Sequence, residues 1–238
     1  MELTIRYLVL IQLCVAVAGC GRGTISTVQR PDNFFFAQAQ SAQPIVSLFS
    51  GDAEVLSDEA IAQILEYEYQ PPALSRIAIM PFGQEAWTAW SGDFLLLSEQ
   101  LKQNLIDRLR ESPRVYDASI LPTILIPEQR TVPRLREAAA RYQADLVLVY
   151  RNSCYSFERY RFFGTDRSEG SCAVDAVLLD VRTGLVPMTS VASENFSAEQ
   201  SPEDINFRET ILMSQLEATG VALASVSEAI VEFLGEAD

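Results

Sequence analysis

Two short runs of this chain are apolar on both alternating faces, and they dictate the kind of sheet it can build. They are Arg76-Ile-Ala-Ile-Met-Pro-Phe82 and Asp145-Leu-Val-Leu-Val-Tyr150. A strand apolar on both faces must be covered from both sides, which calls for helices above and below a largely parallel sheet. The chain between the runs supplies such helices. Phe94, Leu97, Leu101, Leu105 and Leu109 recur at three and four, so the stretch to about Glu111 reads as an amphipathic helix. Ser112-Pro113 ends it, and Val115 to Leu121 reads as a second strand. Pro133 suits a helix N1 position, with Thr131 or Val132 at the cap, and starts a helix through Tyr142.

After Tyr150 the pattern changes to antiparallel hairpins. One strand runs on through Cys154 towards Phe163-Gly164, and a return strand spans about Cys172 to Val181. Asp180-Val-Arg-Thr-Gly184 reads as a turn, because Asp accepts from backbone N–H groups and Gly tolerates positive φ. Leu185 to Phe196 is the last strand. A final helix begins at Ser201-Pro202-Glu203-Asp204 and reaches about Leu234. Its seam is Leu212, Leu216, Thr219, Leu223, Val226, Ile230 and Phe233. The seam either packs on the sheet or drives dimerisation, so a homo-oligomer is one expectation. The order βαβαβββα predicts an α/β (α+β) fold: a mixed sheet with helices on its faces and a long C-terminal helix.

The start of the chain is of another kind. A short opening with Arg6 precedes an apolar run from Tyr7 to Ala18, about the length of a signal-peptide core and too short to span a bilayer. It ends in Val17-Ala18-Gly19-Cys20, which resembles a bacterial lipobox. The resemblance implies cleavage before Cys20 and acylation of its thiol and amine, and two or three acyl chains hold a protein firmly where one would not. Gly21, rather than Asp, follows Cys20. In lipoproteins of two-membrane bacteria this implies export to the outer membrane, facing the periplasm. The expected division is therefore residues 1–19 as signal peptide, 20–56 as lipidated cysteine and flexible tether, and 57–238 as one periplasmic domain. Ala37 to Gln43 is low in complexity and suits the tether. Phe34-Phe35-Phe36 interrupts it, either packing on the domain edge or touching the membrane. Ser57-Asp58-Glu59 then opens a helix whose apolar side is Ile61, Ile64 and Leu65.

Charge and composition exclude several functions. The 238 residues carry a formal net charge of −14. Residues 102–182 carry a net +2 (13 basic, 11 acidic), whereas residues 183–238 carry −9 (1 basic, 10 acidic). Such a chain should be repelled by nucleic acid, so no nucleic-acid partner is expected. Histidine is absent, which excludes a Ser-His-Asp or Cys-His triad and any His-ligated metal. No cofactor or metal is expected, since Gly21-Arg-Gly23 follows no strand and is spacer. Of four cysteines, Cys14 leaves with the signal and Cys20 is lipidated. Cys154 and Cys172 remain, an even pair for an oxidising compartment. They flank a hairpin whose midpoint by count is Phe163, so a disulfide between them is predicted.

Four stretches together resemble a known family. They are the Ile-Ala-Ile-Met-Pro-Phe strand, the Leu-rich helix after it, Ala140–Val149 (Ala-Arg-Tyr-Gln-Ala-Asp-Leu-Val-Leu-Val) and Val174–Gly184 (Val-Asp-Ala-Val-Leu-Leu-Asp-Val-Arg-Thr-Gly). Their order is similar to the α/β domain shared by the curli-secretion lipoproteins (CsgG), the LpoB-type activators of cell-wall synthases and the TolB amino-terminal domain, over about residues 74–234. The resemblance implies an envelope protein that binds or assembles, with no catalytic residue. Curli-type members extend hairpins into a transmembrane barrel, whose strands need about 9–11 alternating residues. Here Tyr155, Phe157, Arg159, Arg161 and Phe163 share one face, and two arginines argue against lipid contact.

Two constellations are candidate interaction patches. Trp87 and Trp90 lie in a loop after a strand end, either as a recognition patch or as cover for the next helix. The hairpin tip mixes Tyr155 and Phe157 with Arg159 and Arg161, a composition that suits a protein interface or a solvated hairpin. Asp180, Thr183 and Gly184 faintly echo an aspartic protease, but the spacing is that of a turn. Three functions follow. The first is a non-enzymatic binding, assembly or regulatory lipoprotein with an unidentified envelope partner. The second is a subunit of a CsgG-like secretion assembly. The third is a carboxylate-dependent envelope hydrolase, which needs two acids converging in one pocket.

Overall fold

The computed structural model describes residues 36–39, 47–49, 56–82, 92–160, 164–202, 204 and 206–236. Among these residues six strands form one sheet: β1 (Phe36–Ala39), β2 (Ser75–Pro81), β3 (Val115–Ile120), β4 (Leu146–Arg159), β5 (Arg167–Asp180) and β6 (Met188–Glu199). The helices are α1 (Asp58–Glu66), α2 (Gly92–Arg110), α3 (Val132–Arg141) and α4 (Phe207–Gly235), with a 3-10 turn at Thr123–Leu125. The sheet runs β3-β2-β4-β5-β6. β2 lies parallel to both β3 and β4, while β4–β5 and β5–β6 are antiparallel. The mixed sheet and the long C-terminal helix are thus those that the hydropathy pattern predicts. β1 pairs antiparallel with the far end of β4, Phe36 opposite Glu158 and Ala39 opposite Tyr155. A stretch read as tether therefore includes a short edge strand.

The apolar periods account for the layers. Ile77, Ile79, Leu146, Leu148, Val174, Ala176 and Leu178 point to one side, where Leu105 and Leu109 of α2 and Leu223, Val226 and Ile230 of α4 cover them. Ala78, Met80, Val147, Val149 and Leu179 point to the other, where Val132, Leu135 and Ala139 of α3 cover them. The α4 seam packs on its own sheet. α4 is long and apolar enough to cross a membrane by length and composition, but its Leu216, Val226, Ile230 and Leu234 are buried in this core.

Two boundaries move for local reasons. Leu185 is taken up by the Asp180 turn, accepting from the Asp180 N–H at 2.9 Å, so β6 starts at Met188. Asp204 accepts from the Ser201 N–H at 3.0 Å and closes a separate turn. The cap of α4 is then Asn206, whose side chain accepts from the Arg208 N–H at 2.9 Å. At α1 the predicted cap is present, Ser57 Oγ accepting from the Ala60 N–H at 3.2 Å. Its apolar side nevertheless stays outside the core, with Leu65 81% exposed.

Polar groups pin the start of β2. Arg76 Nε donates to Asp117 at 2.9 Å, its Nη1 donates to the Tyr142 carbonyl at 2.8 Å, and its guanidinium lies over the Tyr142 ring. Arg110 donates to the other Asp117 oxygen at 2.8 Å. The hydrogen bond from Arg110, and then that from Arg76, holds the Asp117 carboxyl below its usual pKa. Asp117 therefore stabilises the fold fully above its unfolded pKa, about 3.9, and loses that contribution as pH falls through the lower folded value. Asp117→Asn should cost about 1 kcal/mol at pH 7. The difference from wild type, measured by urea unfolding, should shrink progressively below about pH 4.

Close packing at one glycine is the second test of the fold. A Cβ on Gly170 of β5 would lie 2.5 Å from the backbone carbon of Ser214 and 2.6 Å from Gln215 N, both in α4. A helix backbone cannot give way as a side-chain end can. Gly170→Ala should cost about 2–3 kcal/mol, or about 5–10 °C in Tm. Gly92→Ala, where a Cβ meets nothing within 4 Å, should leave Tm unchanged or raise it in the same calorimetric scan.

Candidate functional site

β4 and β5 are joined by an unbroken register from Leu146 opposite Asp180 to Arg159 opposite Arg167. Over the first turns of this ladder both faces are buried. From Arg151 onward the even positions of β4 still face α4, but α3 no longer reaches the odd ones. The result is a sheet that is a core at one end and a surface at the other.

The α4 side of the far half is tight. Cys154, Cys172, Phe94, Leu212, Leu216 and Ala218 pack together. Ser168 Oγ and Ser214 Oγ share a hydrogen bond at 3.2 Å, beside the close approach at Gly170. Glu158 is buried and accepts from the Tyr160 hydroxyl at 2.5 Å, while the Tyr160 ring meets Phe207 of α4 at 5.1 Å. This cluster ties the hairpin end to the first turn of α4. The small residues Ser168 and Gly170, two apart in β5, are the signal from which that approach could have been read.

The opposite side is open among the described residues. Arg151 faces Asp175 across the ladder and donates to it at 3.0 Å. Tyr155, 50% exposed, half-buried Phe157 and Arg159 follow at alternate positions of β4, so three of the predicted patch residues share one face. Arg159 stands opposite Arg167, which pairs with Glu199 of β6. β6 adds Val191, 69% exposed, with Ser193 and Asn195. An aromatic centre with ion pairs around it suits a protein contact. Arg161, Trp87, Trp90 and Cys20 lie outside the described residues.

Cys154 and Cys172 stand directly opposite each other in the register. The structure joins them by a disulfide, with Cα atoms 4.2 Å apart, as at a non-hydrogen-bonded antiparallel pair. Gly164, with φ 116°, lies in the connection between the two strands. The Asp180 turn is built as expected: its Oδ1 accepts from the Thr183 N–H at 2.6 Å and hydroxyl at 2.8 Å, and Gly184 has φ 77°. Its other oxygen accepts from Tyr69, and burial followed by the Asp180 charge raises the Tyr69 pKa. Asp180 is thus engaged in structure. Among the described residues no group of three or more Cys, Asp or Glu is placed to hold a metal. A shallow groove of about 550 Å³ lies between the Thr123–Leu125 turn and α3, lined in part by Ile124, Leu125, Arg134 and Arg141.

No protein-family model matches the chain, and no curated protein matches it in sequence. Among solved structures it is similar to a protein of Caulobacter crescentus CB15 described as a lipoprotein, at 13% identity over 68% of this chain and 92% of that one, with TM-score 0.39. It is also similar to the PelC dodecamer of Paraburkholderia phytofirmans, at 15% identity over 70% and 90%, TM-score 0.29. A lipoprotein of Neisseria meningitidis matches at 13% identity over 63% and 94%, TM-score 0.26. At such identities and TM-scores these likenesses bear on neither the family nor the function of this chain.

The disulfide is open to a direct test. Intact mass of protein taken from cells under thiol-blocking, non-reducing conditions should show Cys154 and Cys172 unlabelled. Labelling of both would remove the staple. Replacing both by Ser should cost about 3 kcal/mol at most, as expected for closing a short loop.

Proposed function

We propose that this protein is an outer-membrane-anchored periplasmic lipoprotein that works without catalysis, binding a protein partner in the assembly or regulation of the cell envelope. The observation that carries this reading is the sheet face, open among the described residues, that bears Tyr155, half-buried Phe157 and the Arg151–Asp175 pair on a hairpin held to α4 from behind. Aromatic side chains on a rigid support lose little entropy when a partner covers them, and Arg151 is already held by Asp175. The lipobox-like segment ending in Cys20 supports the anchor, and the acidic charge argues against a nucleic-acid partner. A secretion pore is a weaker reading of the same hairpin. One side of the far half is taken up by α4, and the other carries Arg151, Asp175 and Arg159, which would be costly against lipid.

The test uses the full chain in living cells. A photo-crosslinking residue in place of Tyr155 or Phe157 should give a discrete adduct with an envelope protein, and one at exposed Glu111 on the α2 side should not. Equal, diffuse labelling from all three positions would overturn the interface. Cys20→Ser should abolish palmitate labelling and release the protein from the outer-membrane fraction. Unchanged labelling and fractionation would overturn the anchor.

A further inference from the structure

The two ends of the sheet are treated differently. β3, at one end, has six residues, carries the ion-paired Asp117, and the β2–β3 ladder is irregular between Ser75 and Arg76. Short, charged and irregular edges discourage further pairing. β6, at the other end, has twelve residues, Met-Thr-Ser-Val-Ala-Ser-Glu-Asn-Phe-Ser-Ala-Glu. It contains no Pro, Lys or Arg, and its register with β5 is continuous from Met188 to Glu199. Among the described residues no strand lies on its outer side.

Hydrogen bonds at both ends of β6 show which backbone groups point outward. The Asp180 N–H donates to Leu185 O and the Gln200 N–H donates to Asp166 O, each at 2.9 Å. Even-numbered groups of β5 and of Gln200 therefore lie between β5 and β6. In a regular antiparallel ladder the inward and outward groups alternate. The N–H and C=O groups of Thr189, Val191, Ser193, Asn195 and Ser197 consequently face away from the sheet, and the side chains of these residues are exposed.

We propose that β6 pairs antiparallel with β6 of a second copy of this chain, about a two-fold axis at Ser193. The strand is its own complement in this register. Ser193 meets Ser193 of the second copy, Val191 meets Asn195, and Thr189 meets Ser197. Every outward donor then faces an outward acceptor. Between them Glu194 falls opposite Ala192, so no like charges are opposed. Centring the axis on Glu194 instead would bring the same outward groups together but set two carboxylates directly opposite each other. Centring it on Val191 or Asn195 leaves outward groups unpaired at the ends. Glu199, the remaining charge of the strand, is engaged by Arg167. A symmetric pair of this kind is isologous and closes at two copies, joining two sheets into one and leaving the Tyr155 face of each accessible.

The experiment uses the full chain purified from cells in detergent. Ser193→Cys, treated with a short bismaleimide, should give a covalent species of twice the protomer mass. Glu66→Cys on α1 is the control and should not. Asn195→Pro removes an outward donor at an edge position where Pro is tolerated. It should keep the wild-type circular dichroism while sedimentation shifts from dimer to monomer. The proposal is overturned if the wild type sediments as a monomer at tens of micromolar. It is overturned equally if Ser193→Cys links only to another protein, or if neither position gives a doubled species. Should Asn195→Pro fail to fold, the Ser193 crosslink and the wild-type sedimentation decide.

Discussion

The ladder between β4 and β5 is the constraint on which the other parts rest. Its fourteen-residue strands stay in one register from end to end, and the side chains of a strand alternate with period two. A slip by one residue would turn Leu146, Leu148, Val174 and Leu178 out of the α4 side and bring Arg151 and Asp175 into it. Neither half could tolerate that. The buried half makes register a matter of core burial, and the open half inherits its arrangement from the same ladder. Tyr155, Phe157 and Arg159 therefore share a face because Leu146 and Leu148 are in the core.

The helix behind the sheet gives the open face its rigidity. α4 lies close enough on Gly170 that a methyl group would meet its backbone. Farther along, Gly220 faces Leu101 of α2, where an added Cβ would lie only 2.7 Å from a Leu101 methyl. α4 is thus wedged between sheet and neighbouring helix, and the hairpin cannot swing from it without losing the Phe94–Leu212–Leu216 cluster. A face on such a support would cost little to order if a partner covered it. This matters because association must offset lost freedom before any contact becomes affinity.

Much of this architecture was legible in the residues. Apolar runs on both faces marked β2 and the first half of β4, and Pro133 and Ser57 marked helix starts. The Cys154/Cys172 midpoint falls at Phe163, immediately before Gly164 with its positive φ. What escaped reading was long-range. Four residues at Phe36–Ala39 carry no strand period of their own and are a strand only because β4 extends past the end of β2 and offers a free edge there. Likewise Ile61, Ile64 and Leu65 have helical spacing, but spacing states which side is apolar and not whether anything covers it. The Glu158–Tyr160–Phe207 cluster joins residues from separate elements and has no local signature at all.

The same limit explains why the open face is harder to read than the core. A core position needs an apolar side chain, and burial on both sides leaves little choice. An open face permits Arg, Ser, Tyr or Val at neighbouring positions, so burial does not fix its pattern. The identities at Arg151, Tyr155, Phe157 and Arg159 become informative only after the fold shows that α3 stops short of them while α4 continues behind. Period-two alternation alone would allow those side chains to be the inner lining of a second core. With α3 covering Val147, Val149 and Leu179 and ending there, the alternation that begins as packing continues as surface, and the face proposed as an interface is the part of the hairpin that its own core does not need.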